Sequence, residues 1–174
     1  MSRKTQSTQG TDSTTTSGLS VSRSPVSLTS LIVGAAFLLV GVLGFVPGVT
    51  TNYGALGGAG HHSGAMLLGV FQVSVLHNLL HLAFGVLGVA LSRVPSLAKA
   101  FLVVGGVAYL GLWVYGLVTA DDSTANFVPV NAADDWLHLG LGLGMLVLGL
   151  VMPRRASRGT AATYHGPTAG GRIQ

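Results

Sequence analysis

Residues 64–92 read GAMLLGVFQVSVLHNLLHLAFGVLGVALS, a run without a single acidic or basic side chain. A helix needs ~20 apolar residues, at ~1.5 Å rise each, to cross the ~30 Å hydrocarbon core of a bilayer. This run is longer than that, so its helix is expected to tilt or to continue past the bilayer. Three more uncharged runs flank it, at about 28–46 (closed by Pro47-Gly48), 100–120 and 136–152. Inside hydrocarbon every backbone N–H and C=O needs an internal partner, which a helix provides. A membrane barrel would instead need strands of alternating apolar and polar residues, and these runs do not alternate. The expected fold is an all-α membrane protein, with four transmembrane helices at about 28–46, 64–92, 100–120 and 136–152. Its transmembrane domain covers 28–152.

The composition agrees. Charged residues make up 8 % of the chain, against about 25 % in soluble domains. A soluble enzyme is thereby excluded, and the absence of cysteine excludes thiol chemistry and a disulfide scaffold. The formal charge of +4 is no sign of a nucleic-acid partner, because the basic residues are few and scattered. Their positions speak instead for insertion into a lipid bilayer.

Arg3, Lys4 and Arg23 precede the first run, Arg93 and Lys99 separate the second from the third, and Arg154, Arg155, Arg158 and Arg172 follow the fourth. The loops at about 47–63 and 121–135 hold no basic residue; the second of them carries Asp121, Asp122, Asp134 and Asp135. The positive-inside rule then places both termini in the cytoplasm and the protein in the plasma (inner) membrane, as a multi-pass chain. No A-x-A-like cleavage site follows the first run, so that run is expected to be an uncleaved helix rather than a signal sequence. The Ser/Thr-rich segment 1–27 and the basic segment 153–174 contain too little apolar surface to offset ordering entropy and are expected to be disordered tails.

Glycines punctuate the runs. Gly140-x-x-x-Gly144 and Ala65-x-x-x-Gly69 have the spacing that lets helices approach closely in lipid. They suit packing within one bundle, or an interface with a second copy or another membrane subunit. A weak internal repeat is also visible: Asn78-Leu79-Leu80-His81-Leu82-Ala83-Phe84-Gly85 matches Asp135-Trp136-Leu137-His138-Leu139-Gly140-Leu141-Gly142 in pattern. Two helical hairpins related by an axis along the membrane normal would produce it.

Polar residues inside the runs are few, which makes the histidines conspicuous. His61 and His62 fall in or near the first outer loop, His77 and His81 in the second run and His138 in the fourth, while His165 lies in the C-terminal tail. His77 and His81 are spaced i, i+4 and share a helix face. Counted from Arg93, Lys99 and Arg154 at ~1.5 Å per residue, His77, Tyr115 and His138 each lie about 24 Å from the inner boundary. They form one layer near the outer face, with His81 a turn deeper. Asp134 and Asp135 open the fourth helix, where carboxylates suit the positive end of the helix dipole.

Three chemistries fit this layer. The residues can hydrogen-bond between helices and fix the bundle. They can hold a ligand: a Zn or Cu ion on His77, His81 and His138 with Asp135 as a fourth ligand, or a haem between His138 and a histidine of the second helix. They can also line a path for protons or a small solute, as in a transporter, although no Asp or Glu lies deep in the runs. No nucleophilic constellation emerges, since no third group orients the Ser74 and His77 pair. The Gly54–Gly60 run lacks the following Lys-Ser/Thr of a phosphate loop. Pro129 with Asn126 and Asn131 implies a fixed turn against the outer helix ends.

His61-His62-Ser63-Gly64, the run from Gln72 through His81 and the block from Ser123 through His138 (STANFVPVNAADDWLH) together resemble a family of small four-helix bacterial, mainly actinobacterial, membrane proteins, a domain of unknown function. The resemblance covers about 28–152. It implies an integral membrane protein of four helices and supplies no reaction, ligand or catalytic residue. The combined expectation is a non-enzymatic structural or accessory membrane component. The alternatives are a metal- or haem-binding redox component and a small transporter.

Overall fold

The computed structural model describes residues 24–119 and 124–155. Segments 1–23 and 156–174, which hold most of both tails and His165, lie outside the described residues, as do Asp121 and Asp122. Four helices carry the fold: α1 (Pro25–Leu43), α2 (Val75–Leu91), α3 (Pro95–Val118) and α4 (Ala132–Val151). Of these, α1, α3 and α4 are long and apolar enough to cross a membrane, and α2 is a shorter apolar helix of 17 residues.

The boundaries follow from capping chemistry more than from hydropathy. Ser24 accepts a hydrogen bond from the Ser27 amide and Pro25 occupies the first turn, so α1 begins inside the stretch expected to be a tail. Proline suits that position, where no N–H partner exists to lose. Pro95 likewise starts α3 ahead of the expected 100. Asn131 accepts from the amides of Ala133 and Asp134 while the Asp134 carboxylate accepts from the Asn131 amide, a capping box that draws both acidic residues into α4. Such a box satisfies end donors reciprocally.

The second helix departs most from expectation. It begins at Val75, capped by Ser74, whose hydroxyl accepts from the His77 amide at 3.1 Å. Residues 64–74, expected to be helical, instead build most of a three-stranded antiparallel sheet: β1 (Thr50–Thr51), β2 (Met66–Leu67) and β3 (Phe71–Gln72), in that order. Leu68 and Gly69 make the β2–β3 turn with φ of +54° and +72°. Two successive positive φ values define the turn whose twist suits a hairpin, and only Gly takes them without strain. Apolar composition cannot distinguish this hairpin from a helix, because both satisfy their backbone groups internally. Ala65, Leu67 and Val73 form a small core beneath the sheet, so Ala65 and Gly69 pack no helix against another.

Two antiparallel hairpins, α1–α2 and α3–α4, make the bundle, and their contact is built twice over. A Cβ at Gly34 would lie 2.7 Å from the Val89 amide and 2.9 Å from the Gly85 carbonyl; at Gly106 it would lie 2.7 Å from Leu146 and 2.9 Å from Gly142. Gly44 is covered by the Asn78 side chain and Gly116 by that of Asp135. At one constant offset, Ser74, His77, Asn78, His81 and Gly85 correspond to Asn131, Asp134, Asp135, His138 and Gly142. At a second, Gly34, Phe37 and Gly44 correspond to Gly106, Tyr109 and Gly116. The internal repeat is therefore structural. Phe37 and Tyr109, equivalent to one another, stack in the core with ring centroids 5.3 Å apart. Gly140 and Gly144, by contrast, have open space where a side chain would go; Gly142 and Gly149 are the α4 glycines that pack.

The two ends of the bundle differ in charge. Arg93, Lys99, Arg154 and Arg155 sit where α2 meets α3 and where α4 finishes, and the Lys99 ammonium donates to the Leu150 carbonyl at 3.0 Å. A lysine there satisfies one of the carbonyls that a helix end leaves unpaired. The sheet, the 124–131 loop and Asp134 lie at the other end.

Candidate functional site

Capping sets the site. By starting α2 at Val75, Ser74 places His77 in the first turn with its ring turned into the bundle, and His81 follows one turn later. The two rings stack at 4.6 Å, and the His81 Nδ1 lies 3.0 Å from the His77 carbonyl. From α4, His138 comes within 6.4 Å of His77, centroid to centroid. Tyr109 packs 5.4 Å from His138, and Phe37 lies 5.6 Å from His81. The three histidines singled out in the sequence thus converge, all of them buried. Tyr115, expected in the same layer, serves the cap instead. Its hydroxyl donates to the Ala125 carbonyl and accepts from the Phe127 amide, holding the 124–131 loop in place. Within that loop the Asn126 side chain bridges the N–H and C=O of Val130, the fixed turn that its composition implied.

A chamber of about 100 Å³ opens among these groups, lined by His77, Asn78, His81, Asp134 and His138 and roofed by Leu67 and Phe71 of the hairpin. The carboxylate at the chamber is that of Asp134, which accepts from the amides of Gln72 and Asn131 at 3.0 Å each and so ties the hairpin to α4. Asp135, its neighbour, is set against Gly116 on α3. Gln72 reaches the other way and donates to the Ser63 carbonyl at 2.8 Å. His61 and His62 remain outside the chamber, paired in the cap with centroids 3.9 Å apart.

Three buried polar atoms at the chamber have no hydrogen-bond partner: Nδ1 of His77, Nδ1 of His138 and Nδ2 of Asn78. Buried polar atoms are paired in the great majority of cases, so a cluster of three marks a place where a partner belongs. No group of three His, Asp or Glu among the described residues is arranged to hold one metal ion. His77 and His81 stack on one another and share one backbone carbonyl, and His138 lies tilted beside His77, rather than all three facing a shared point.

Two larger cavities flank the chamber, each of about 190 Å³ and each touching His81. One lies in the seam between α2 and α3, the other in the seam between α1 and α4, and the repeat relates them. Ala108, Tyr109, Leu112, Leu80, Phe84 and His138 line the first; their equivalents Ala36, Phe37, Val40, Leu137, Leu141 and His81 line the second. Phe37 and Tyr109 were not among the residues read from the sequence as candidates; their equal place in the repeat was the signal that could have found them.

The family model of a domain of unknown function, DUF4383, matches residues 27–151. No curated protein matches the chain, and no solved structure does.

Proposed function

We propose, from the premise that the chain belongs to the DUF4383 family, that it is a four-span plasma-membrane protein with cytoplasmic termini, acting as a non-enzymatic accessory component through its capped outer end. The distribution of charge carries this reading. Among the described residues every Lys and Arg lies at one end of apolar helices, and the capped end has none. Helix α2, with 17 residues, is within the ~17–25 residues that a span requires. The Ser74 hydroxyl accepts from the His77 amide and caps α2.

The test uses the absence of native cysteine. With Asp122→Cys, a membrane-impermeant maleimide should label intact cells, and with Arg93→Cys only lysed cells. The opposite pattern overturns the topology.

A second reading, a redox component carrying a metal ion or haem, would draw on His77, His81 and His138, although among the described residues they are not arranged around one metal position. Stoichiometric metal or a haem absorption band in the purified protein, lost on His77→Ala with His81→Ala, would establish it. A folded, colourless, metal-free protein would remove it.

A further inference from the structure

Asp134 is the acidic side chain at the chamber, and it is 2 % exposed. The Gln72 and Asn131 amides both donate to its Oδ2. Its Oδ1 takes no hydrogen bond and yet, unlike Nδ1 of His77 and Nδ1 of His138, is not sealed off. In a side chain so buried, that oxygen opens on the chamber it lines. His81 adds a second acceptor. A carbonyl can only accept, so Nδ1 of His81 donates to the His77 carbonyl, and Nε2 of the neutral ring keeps a bare lone pair. Among the described residues every Lys and Arg lies at the opposite end of the bundle. A buried carboxylate is paired with a cation or gives up its charge. No cation among the described residues reaches this one.

The chamber also has an apolar extension. It shares Val40, Leu137 and Leu141 with the cavity of the α1–α4 seam, which is apolar except for His81. Ala36 and Leu137 stand at the rim of that seam, exposed on the flank of the bundle. The α2–α3 seam reaches neither Asp134 nor those three aliphatic residues; what it shares with the chamber is the rings of His77, His81 and His138.

We propose that the chamber and the α1–α4 seam form one site for a single-chain amphiphile with a primary ammonium head. The head sits at Asp134 and His81, and the chain runs down the seam to the bilayer. This deepens the accessory reading by naming a ligand, and it rests on reading the helices as membrane spans. Two acceptors and an unbalanced carboxylate select a ligand that brings positive charge and N–H groups together. A carboxylate or phosphate head would set like charges side by side. An alcohol head would leave Asp134 without a counter-charge, and no three groups among the described residues are arranged for a metal ion. The chamber of about 100 Å³ exceeds the ~30 Å³ share of one water several times over, enough for a CH₂–NH₃⁺ group. The seam cavity of about 190 Å³ exceeds the ~150 Å³ that takes the six carbons of benzene, so a chain of six or more carbons fits.

The two seams supply the control. The full chain in nanodiscs is titrated with octylammonium chloride at neutral pH by isothermal calorimetry, and the heats on empty nanodiscs are subtracted. One octylammonium per chain is expected, with octanoate, octanol and methylammonium each at least tenfold weaker. Asp134→Asn, which keeps an acceptor for both amides, should weaken octylammonium tenfold or more. Ala36→Phe should do the same, whereas Ala108→Phe, at the equivalent place in the other seam, should change the affinity less than twofold. If either loss comes with unfolding by circular dichroism, Leu137→Trp closes the seam from its rim and should give the same loss. No saturable binding by the folded chain overturns the site, as does equal sensitivity to Ala36→Phe and Ala108→Phe. Octanol bound as tightly as octylammonium also overturns it, because Asp134 would then carry a proton. So does methylammonium bound as tightly, which would remove the seam from the site, and so does a stoichiometric metal ion that excludes the amine. Reversed cysteine labelling with octylammonium binding intact would fault the topology alone.

Discussion

Gly34 in the first hairpin and Gly106 in the second bring the facing helix to the same distance, and Gly44 and Gly116 both lie beneath a side chain from the next helix start. Three residues after the helix cap, the hairpins part company. In α4 that residue is Asp134, which closes a capping box and holds Gln72 of the sheet. In α2 it is His77, whose ring turns inward and ends with an unpartnered nitrogen. The connections differ too: a three-stranded sheet joins α1 to α2, whereas the described part of the α3–α4 connection is a loop pinned by Tyr115. Helix crossings are set by what is missing, the side chains of glycine, and so repeat faithfully. The site is set by what is present in each first turn, and there the two halves are free to diverge.

The strongest challenge to this equivalence is a side chain at the crossings. Gly106→Leu forces atoms against the Leu146 amide and should destabilise the fold by about 3 kcal/mol or more, as overpacking does. Gly34→Leu should cost as much, by thermal unfolding in detergent; a large difference between them would end the claim that one crossing is used twice. Next comes the divergent residue. Asp134→Ala strips the acceptor from two amides and should cost about 2 kcal/mol, with faster hydrogen exchange at Gln72. Ser74→Ala, which removes only a cap, should cost about 1 kcal/mol. If the two variants unfold alike, Asp134 does no more than cap its helix.

Tyr115→Phe should loosen the second connection by about 1 kcal/mol for its lost hydrogen bonds. Limited proteolysis near Phe127 would report it, and the sheet at the first connection should stay resistant. The smallest effect is a gain. Leu68 holds a left-handed backbone that costs an ordinary residue about 1–2 kcal/mol, so Leu68→Asn should raise stability by up to about 1 kcal/mol. Loss of stability would mean that the exposed Leu68 side chain anchors the hairpin.

Much of the fold was legible. Four apolar helices, the repeat around His81 and His138 and the fixed turn at Pro129 were readable from spacing, whereas spacing placed His77, His81 and His138 near one end without saying that they meet. The failures share a cause. Residues 64–74 are as apolar as a helix and fold as a hairpin, because turn geometry at Leu68-Gly69 and the cap at Ser74 outweigh composition. Gly140 and Gly144 have the right spacing but the wrong azimuth, and the packing falls to Gly142 and Gly149. Asp134 and Asp135 are adjacent and chemically alike, and only the rotation of α4 decides which faces the chamber.

The sequence alone determined the local quantities: the count of apolar helices, the segregation of basic residues and the candidate polar layer. These follow from hydrocarbon demanding internal backbone hydrogen bonds and repelling charge, requirements that act residue by residue along the chain. The tertiary structure decided everything that depends on a facing surface. It related the two seams to one another, gave Tyr109 to one and Phe37 to the other, and left Nδ1 of His77 and Nδ1 of His138 buried without a partner. A hydrogen bond is missing only relative to neighbours, and neighbours on a second helix are fixed by packing angle, which no stretch of sequence encodes by itself.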